Sequence, residues 1–330
     1  MLKRLSALPI DTFLLAMAAT VGIAALWPAR GAAADAMSAV VKLVIALLFF
    51  LYGTRLSPQQ AWQGVKRWQL HLLVLATTFV VFPLLGLAAR GLVPWLLNLD
   101  LYNGLLFLCL VPSTVQSSIA FTSIARGNVS AALVSASLSN IVGIALTPLL
   151  VVLLMNTRGG ARMDAGAVRD IVLQLLLPFV AGQLMRRWIA DWVARHSELT
   201  KAVDRGSILL VVYDAFSMGM VEHIWRSVDP WQLVAVAVVN AALLAAVLIF
   251  TSLMGRLVGL DRGDGIVLLF CGSEKSLASG LPMALVFFPA ATVGVIMLPL
   301  MIFHQIQLVV CSVIASRLSR DELDELPEPA

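Results

Sequence analysis

An acid and a base stand side by side, Glu274-Lys275, inside an apolar stretch long enough to cross a bilayer. Residues 266–270 before them and 283–288 after them are apolar. Between lies Cys271-Gly272-Ser273-Glu274-Lys275-Ser276-Leu277-Ala278-Ser279-Gly280-Leu281-Pro282. Neighbouring residues on a helix point about 100° apart, so two adjacent charges cannot share one narrow face. A charge at bilayer depth costs about 3 kcal/mol on insertion scales, and it faces a protein interior or a watery cavity. Glycines on both sides and the following Pro282 predict an interrupted helix whose free backbone groups line a site. The stretch reads as half of a transport site.

The surrounding chain is of the same class. Hydrophobic residues make up 60% of the 330 positions and charged residues only 13%, against about 25% charged in a soluble domain. Ten apolar segments can be drawn, at residues 12–27, 36–53, 70–89, 101–124, 129–155, 168–189, 207–225, 231–257, 265–288 and 292–315. An all-α polytopic membrane protein is therefore predicted. Lys3 and Arg4 precede the first segment as in a signal peptide, but it is read as span 1. Span 3 carries Pro83 and Gly86, and span 4 is broken around Pro112. Residues 190–205 read as an amphipathic link, and the acidic tail at 318–330 reads as disordered. The basic residues lie in short loops between spans, which gives no nucleic-acid surface. Cys109, Cys271 and Cys311 all sit in apolar runs without CxxC spacing, so neither a disulfide framework nor a metal site is expected. GxSxG, HExxH and paired-His patterns are absent from the sequence, which argues against an intramembrane enzyme. No cofactor is implied.

Charge distribution orients the spans. With the N-terminus in the cytoplasm, 15 of the 23 Lys and Arg fall in inside segments, 6 fall outside, and Lys42 and Lys275 lie within spans. Both termini are thus expected on the cytoplasmic side of the membrane.

The chain also repeats. Trp68-Gln69-Leu70 opens span 3 and Trp231-Gln232-Leu233 opens span 8, an offset of 163. Asp100-Leu101-Tyr102-Asn103-Gly104 opens span 4 and Asp261-Arg262-Gly263-Asp264-Gly265 opens span 9, an offset of 161. Five spans per half is odd, so the second half enters the membrane inverted. The expected division is 1–155 for the first repeat, 156–167 for a connecting loop, 168–317 for the second repeat and 318–330 for an acidic cytoplasmic tail. With the 161 offset, Pro112-Ser113-Thr114-Val115-Gln116-Ser117-Ser118 lies opposite Ser273-Glu274-Lys275-Ser276-Leu277-Ala278-Ser279. Two broken helices related by a pseudo-two-fold axis bring their hydroxyls and free carbonyls together near the midplane. Such a place suits a cation, and half-helix N-termini there favour an anion.

These residues resemble the bile acid:sodium symporter superfamily. Ala125-Arg126-Gly127-Asn128-Val129 after a Ser-rich break looks like its signature. Gly272-Ser273-x-Lys275-Ser276-Leu277-Ala278-x-Gly280-x-Pro282 looks like the bacterial branch related to vertebrate solute carrier 10 member A7. The resemblance covers essentially the whole chain. It implies a panel domain (spans 1, 2, 6 and 7) and a core domain (spans 3–5 and 8–10), with broken spans 4 and 9 crossing. It also implies symport of a small organic anion by alternating access. Carried over by position, it implies a sodium site from Ser117 and Ser118 with Thr114 and Gln116 nearby, from Ser135, Ser139 and Asn140 on span 5, and from Glu274 with Ser273 and Ser276. Thr78 stands where relatives place a glutamine.

Lys275 has no counterpart in the bile-acid branch. It can stand in for one sodium, pair with Glu274, Asp214 or the substrate, or carry a proton and so change the coupling ion. A structural ion pair closing a kinked helix is the plainer reading of Glu274 and Lys275. Asp214 in span 7 is expected to line a cavity; His304 and Gln305 in span 10 are candidates to face the site. Cys109 raises an arsenite-efflux alternative, because thiolates suit soft metalloids. A non-transporting membrane regulator of ion homeostasis is the third reading.

Overall fold

The computed structural model describes residues 12–55, 67–155, 172–221, 223 and 229–324. Helices dominate, and no strand occurs among the described residues. In chain order they are α1 (Thr12–Leu26), α2 (Ala32–Arg55), α3 (Trp68–Leu92), α4 (Leu99–Leu110), α5 (Gln116–Ile124) and α6 (Val129–Met155). The second half holds α7 (Leu177–Arg195), α8 (Ser197–Val221), α9 (Pro230–Leu257), α10 (Arg262–Ser273), α11 (Leu277–Phe287) and α12 (Ala290–Asp324).

Five stretches are long and apolar enough to cross a membrane: Ala32–Thr54, Trp68–Leu92, Val129–Met155, Pro230–Leu257 and Thr292–Arg320. The other expected spans fall short of that measure for visible reasons. Spans 4 and 9 are each split in two, α7 and α8 carry charged turns, and α1 has 15 residues. The architecture is that of an all-helical, multi-pass membrane protein.

Local chemistry places the helix ends. Asn98 caps α4 by accepting the Leu101 N–H at 2.9 Å, and Asp261 caps α10 by accepting the Asp264 N–H at 2.7 Å. Both helices run 12 residues before breaking. Asp229 and Gln232 form a reciprocal capping box at the start of α9. The sequence reading matched Asp100 with Asp261; the capping residues are instead Asn98 and Asp261, an offset of 163. After the breaks, α5 starts at Gln116 and α11 at Leu277, which restores 161. The first break is two residues longer, so the offset is 163 before the breaks and 161 after them.

α3 contains a π turn, Thr77–Val81, just before Pro83. There the Phe82 N–H reaches back five residues to the Thr77 carbonyl. The next bond in that pattern would run from residue 83 to Thr78, and proline has no N–H to give. The Thr78 carbonyl is thereby left for another donor.

Small residues let the helices close up. A Cβ on Gly182 of α7 would overlap the Phe50 carbonyl of α2 and lie 3.2 Å from the Cα of Gly53. A Cβ on Gly104 of α4 would overlap the Ile296 carbonyl of α12. Backbone-to-backbone approach of this kind drives helix association in lipid.

Two clusters tie helix ends together. At one, the Arg67 guanidinium pairs with Asp264 and lies 3.6 Å from Asp261, while Asn128 donates to Asp264 at 2.9 Å. At the other, the Asn98 amide donates to Gln232 at 3.2 Å.

The amphipathic link at 190–205 is helix interrupted only at His196. It has no Gly or Pro before Gly206 and is rich in helix formers, with Lys201 paired to Glu198 at 2.7 Å. The tail at 318–330, expected to be disordered, continues α12 as far as Asp324. Its Leu, Arg and Glu residues have high helix propensity, and the first proline is Pro327. The loop at 156–167, the first residues of span 6 and the end of the tail lie outside the described residues.

Candidate functional site

The two breaks meet. Residues 111–115 separate α4 from α5, and residues 274–276 separate α10 from α11. The Ser276 N–H donates to the Pro112 carbonyl at 2.9 Å, joining one break to the other directly. Each break is also held at its middle residue by a side chain of the long helix that follows it. At Ser113, the N–H donates to Ser139 Oγ at 3.1 Å and the carbonyl accepts Asn140 Nδ2 at 2.8 Å. At Lys275, the N–H donates to Gln307 Oε1 at 2.9 Å and the carbonyl accepts Gln307 Nε2 at 3.0 Å. Backbone groups that leave a helix inside a membrane need such partners, since lipid offers none.

Glu274 and Lys275 do not pair with each other. Extended backbone at Glu274 sends the two side chains to opposite halves of the other broken helix. Glu274 is fully buried and points at the start of α5, where Ser117 and Ser118 hydroxyls donate to its Oε2 at 2.7 Å and 2.8 Å. A carboxylate at a helix N-terminus sits at the positive end of the helix dipole. Its second oxygen, Oε1, is buried and has no hydrogen-bond partner among the described residues.

Lys275 points to the other side, at the end of α4. Its ammonium donates to the carbonyls of Thr78, Cys109 and Val111 at 2.9 Å, 3.0 Å and 2.8 Å. A cation at a helix C-terminus is again the favourable polarity. Each charge of the pair thus complements one half of the opposite broken helix, which replaces the reading of a local ion pair.

The remaining expected residues divide. Asn140 bridges the breaks, donating to Ser113 and accepting from Ser279 Oγ at 2.9 Å. Ser276 caps α11 by accepting the Ser279 N–H at 3.1 Å. Thr114 is buried within the first break. Thr78 is buried with its carbonyl on Lys275, and its hydroxyl has no partner among the described residues. Ser135 shares a face with Ser139 as expected, but its hydroxyl meets His71 Nδ1 at 2.8 Å. Ser273 donates back to the Leu269 carbonyl at 2.6 Å, within its own helix. Gln116 is exposed, unlike the carboxylate that its neighbour Ser117 holds. Asp214 is buried against α2, where Ser38 donates to it at 3.3 Å. His304 lies 2.9 Å from Gln307 Nε2 and so supports the break one step removed.

Gln307 and Ser279 were missed in the sequence. Gln307 sits one turn beyond His304, on the same face of α12, and that i, i+3 spacing was the available signal. The hydroxyl of Ser279 belongs to the opening stretch itself.

Residues 11–320 match the SBF-like CPA transporter family. An uncharacterized protein of Pseudomonas aeruginosa is 50% identical over 311 residues, covering 94% of this chain and 93% of that one. YfeH of Escherichia coli, which carries a provisional symporter designation, is 47% identical over 312 residues, 94% of this chain and 93% of its own. The sodium/bile acid cotransporter 7 of Rattus norvegicus is 26% identical over 320 residues, 92% of this chain and 91% of its own. A match over nearly the whole chain, with half the residues shared with a bacterial relative, shows that this membrane protein belongs to the SBF-like CPA transporter family of the bile acid:sodium symporter superfamily.

Proposed function

We propose that this transporter moves a small organic anion by symport, coupled to sodium or protons, through alternating access around the crossed breaks. The observation that carries the reading is Glu274. It is a fully buried carboxylate at the crossing, with one oxygen held by Ser117 and Ser118 and the other without a hydrogen-bond partner among the described residues. A buried acid in a membrane protein is costly unless a cation or proton accompanies it for part of the cycle. Ser117, Ser118 and Glu274 form the centre of the proposed ion site. Ser139, Asn140, Ser276 and Gln307 hold the backbone around it. Asp214 belongs to the panel side.

Two inverted repeats, 1–155 and 168–317, are supported by matched features at an offset of 163 before the breaks and 161 after them. The start of α3 meets the α10 cap through Arg67 and Asp264, and the start of α9 meets the α4 cap through Gln232 and Asn98. The two contacts use corresponding elements in swapped roles, which a pseudo-two-fold axis requires. They also gather Arg67, Asn128 and Asp264 at one end and Asn98 with Gln232 at the other, in keeping with ten spans and cytoplasmic termini in an inner membrane. The name of the rat relative supports sodium as the coupling ion.

Arsenite efflux is less well supported. The Cys109 thiol is buried, and a Cβ added at Gly86 would sit 3.0 Å from its sulfur, so it is packed rather than presented. Counterflow in proteoliposomes tests the transport reading. Organic anions are screened with sodium and then with another monovalent cation at fixed pH, and afterwards under a pH gradient. Uptake driven by one of the two cations, and lost in Glu274→Gln, is expected. A protein that moves no anion under either gradient would be a regulator instead.

A further inference from the structure

The coupling scheme uses Glu274 and leaves the neighbouring ammonium unexplained. Lys275 is 0% exposed, and its nearest partners are three backbone carbonyls and the Phe82 ring, whose centroid lies 4.1 Å from Nζ. All three ammonium protons are taken, so in this conformation none is left for a substrate carboxylate.

The carbonyls are free for reasons that do not involve the lysine. Thr78 lost its donor to Pro83 and the π turn. Cys109 would accept from the Ser113 N–H in a continuing helix, but that N–H goes to Ser139. Val111 lies in the break itself, in extended conformation. α3, α4 and the first break thus build a cage of converging oxygens, and the second repeat supplies what fills it. Rings of backbone carbonyls replace the hydration shell of a large monovalent cation, and an aromatic face adds further attraction. Nζ–O distances of 2.8 to 3.0 Å set the cage to the size of an ammonium.

We propose that the carbonyls of Thr78, Cys109 and Val111, with the ring of Phe82, form a second monovalent cation site that the Lys275 ammonium occupies as a tethered ion. Removing that ammonium converts the cage into a site for a free cation of similar size, ammonium or potassium. The inference deepens the transport reading: the protein has one exchangeable cation place, at Glu274, and one built in. The cage itself is testable without transport.

The test is thermal unfolding of purified wild type, Lys275→Met and Lys275→Ala in choline chloride at constant ionic strength and pH. Choline is then replaced stepwise by ammonium, potassium or sodium. Both variants are expected to melt below wild type in choline and to regain stability saturably with ammonium or potassium. Wild type is expected to show no such response to those two ions. Variants with no saturable response, or a wild type that responds as strongly, overturn the proposal. If neither variant can be extracted folded in choline, extraction in ammonium chloride must yield monodisperse protein; failure there overturns it too. A sodium response of wild type that is lost in Glu274→Gln reports on the transport reading alone. Its absence would strike sodium as the coupling ion, leave proton coupling, and leave the cage standing.

Discussion

Replacing Gln307 with Leu isolates the cost of an unsupported break. The amide of Gln307 holds both backbone groups of Lys275, at 2.9 Å and 3.0 Å, and lies 2.9 Å from His304. Leucine keeps most of the volume and removes every polar atom. The Lys275 N–H and carbonyl are then both buried without partners, at about 1–3 kcal/mol each. Partial relaxation leaves an expected loss of about 2–5 kcal/mol, equivalent to a fall in Tm on the order of 10 °C. Gln305 on the same helix is the control. It is only partly buried, and Gln305→Leu is expected to stay within about 0.5 kcal/mol of wild type. Unfolding in detergent, followed by a dye that reacts with newly exposed thiols, suits this chain because all three cysteines are buried. Equal melting of Gln307→Leu and Gln305→Leu would refute the claim that Gln307 supports the second break.

Asn140→Leu does the same to the first break. It strips the Ser113 carbonyl of its partner and leaves the Ser279 hydroxyl only Ser276, and differential scanning fluorimetry should register a loss of about 1–3 kcal/mol. Gly182→Ala pushes a methyl group into the Phe50 carbonyl, and the same assay should show a loss of about 1–3 kcal/mol from forcing α2 and α7 apart. Thr78→Val removes a buried hydroxyl that makes no hydrogen bond among the described residues and keeps the carbonyl that Lys275 uses. It should melt at or above wild type. Arg67→Met deprives buried Asp264 of its cationic partner and should cost about 1–3 kcal/mol, a deficit visible in chemical denaturation.

Much of this architecture could be read from residues alone. Apolar runs marked the long helices, and Val129 and Met155 were met at both ends of α6. Both breaks were anticipated, one from Pro112 beside a run of hydroxyl residues and the other from the Glu274-Lys275 pair, whose charges cannot face lipid. The partners of those charges were not legible. Lys275 rests on carbonyls, and a carbonyl has no residue type: Pro83 was visible, but only the π turn, a three-dimensional fact, lets it leave Thr78 open. Glu274 and Lys275 looked like a pair because they are adjacent. Extended backbone turns adjacent side chains to opposite faces, and two oppositely polarised helix ends wait on those faces. The match of Asp100 with Asp261 was two residues out of register, because a cap is set by hydrogen bonding at the helix start and there Asn98, not Asp100, corresponds to Asp261. Ser135 and Ser139 share a helix face, as spacing required, yet His71 takes one and the Ser113 N–H takes the other. Spacing assigns a face; it does not assign the partner.

The central claim is that Glu274 carries the coupling cation. Its most direct test is anion uptake by proteoliposomes of wild type and Glu274→Gln, under an inward sodium gradient at fixed pH and then under a proton gradient without sodium. Glutamine keeps the shape and can still accept from Ser117 and Ser118. The account predicts that wild type concentrates its anion under one of the gradients and that Glu274→Gln, although folded, concentrates it under neither. Undiminished cation-driven uptake by Glu274→Gln would contradict it.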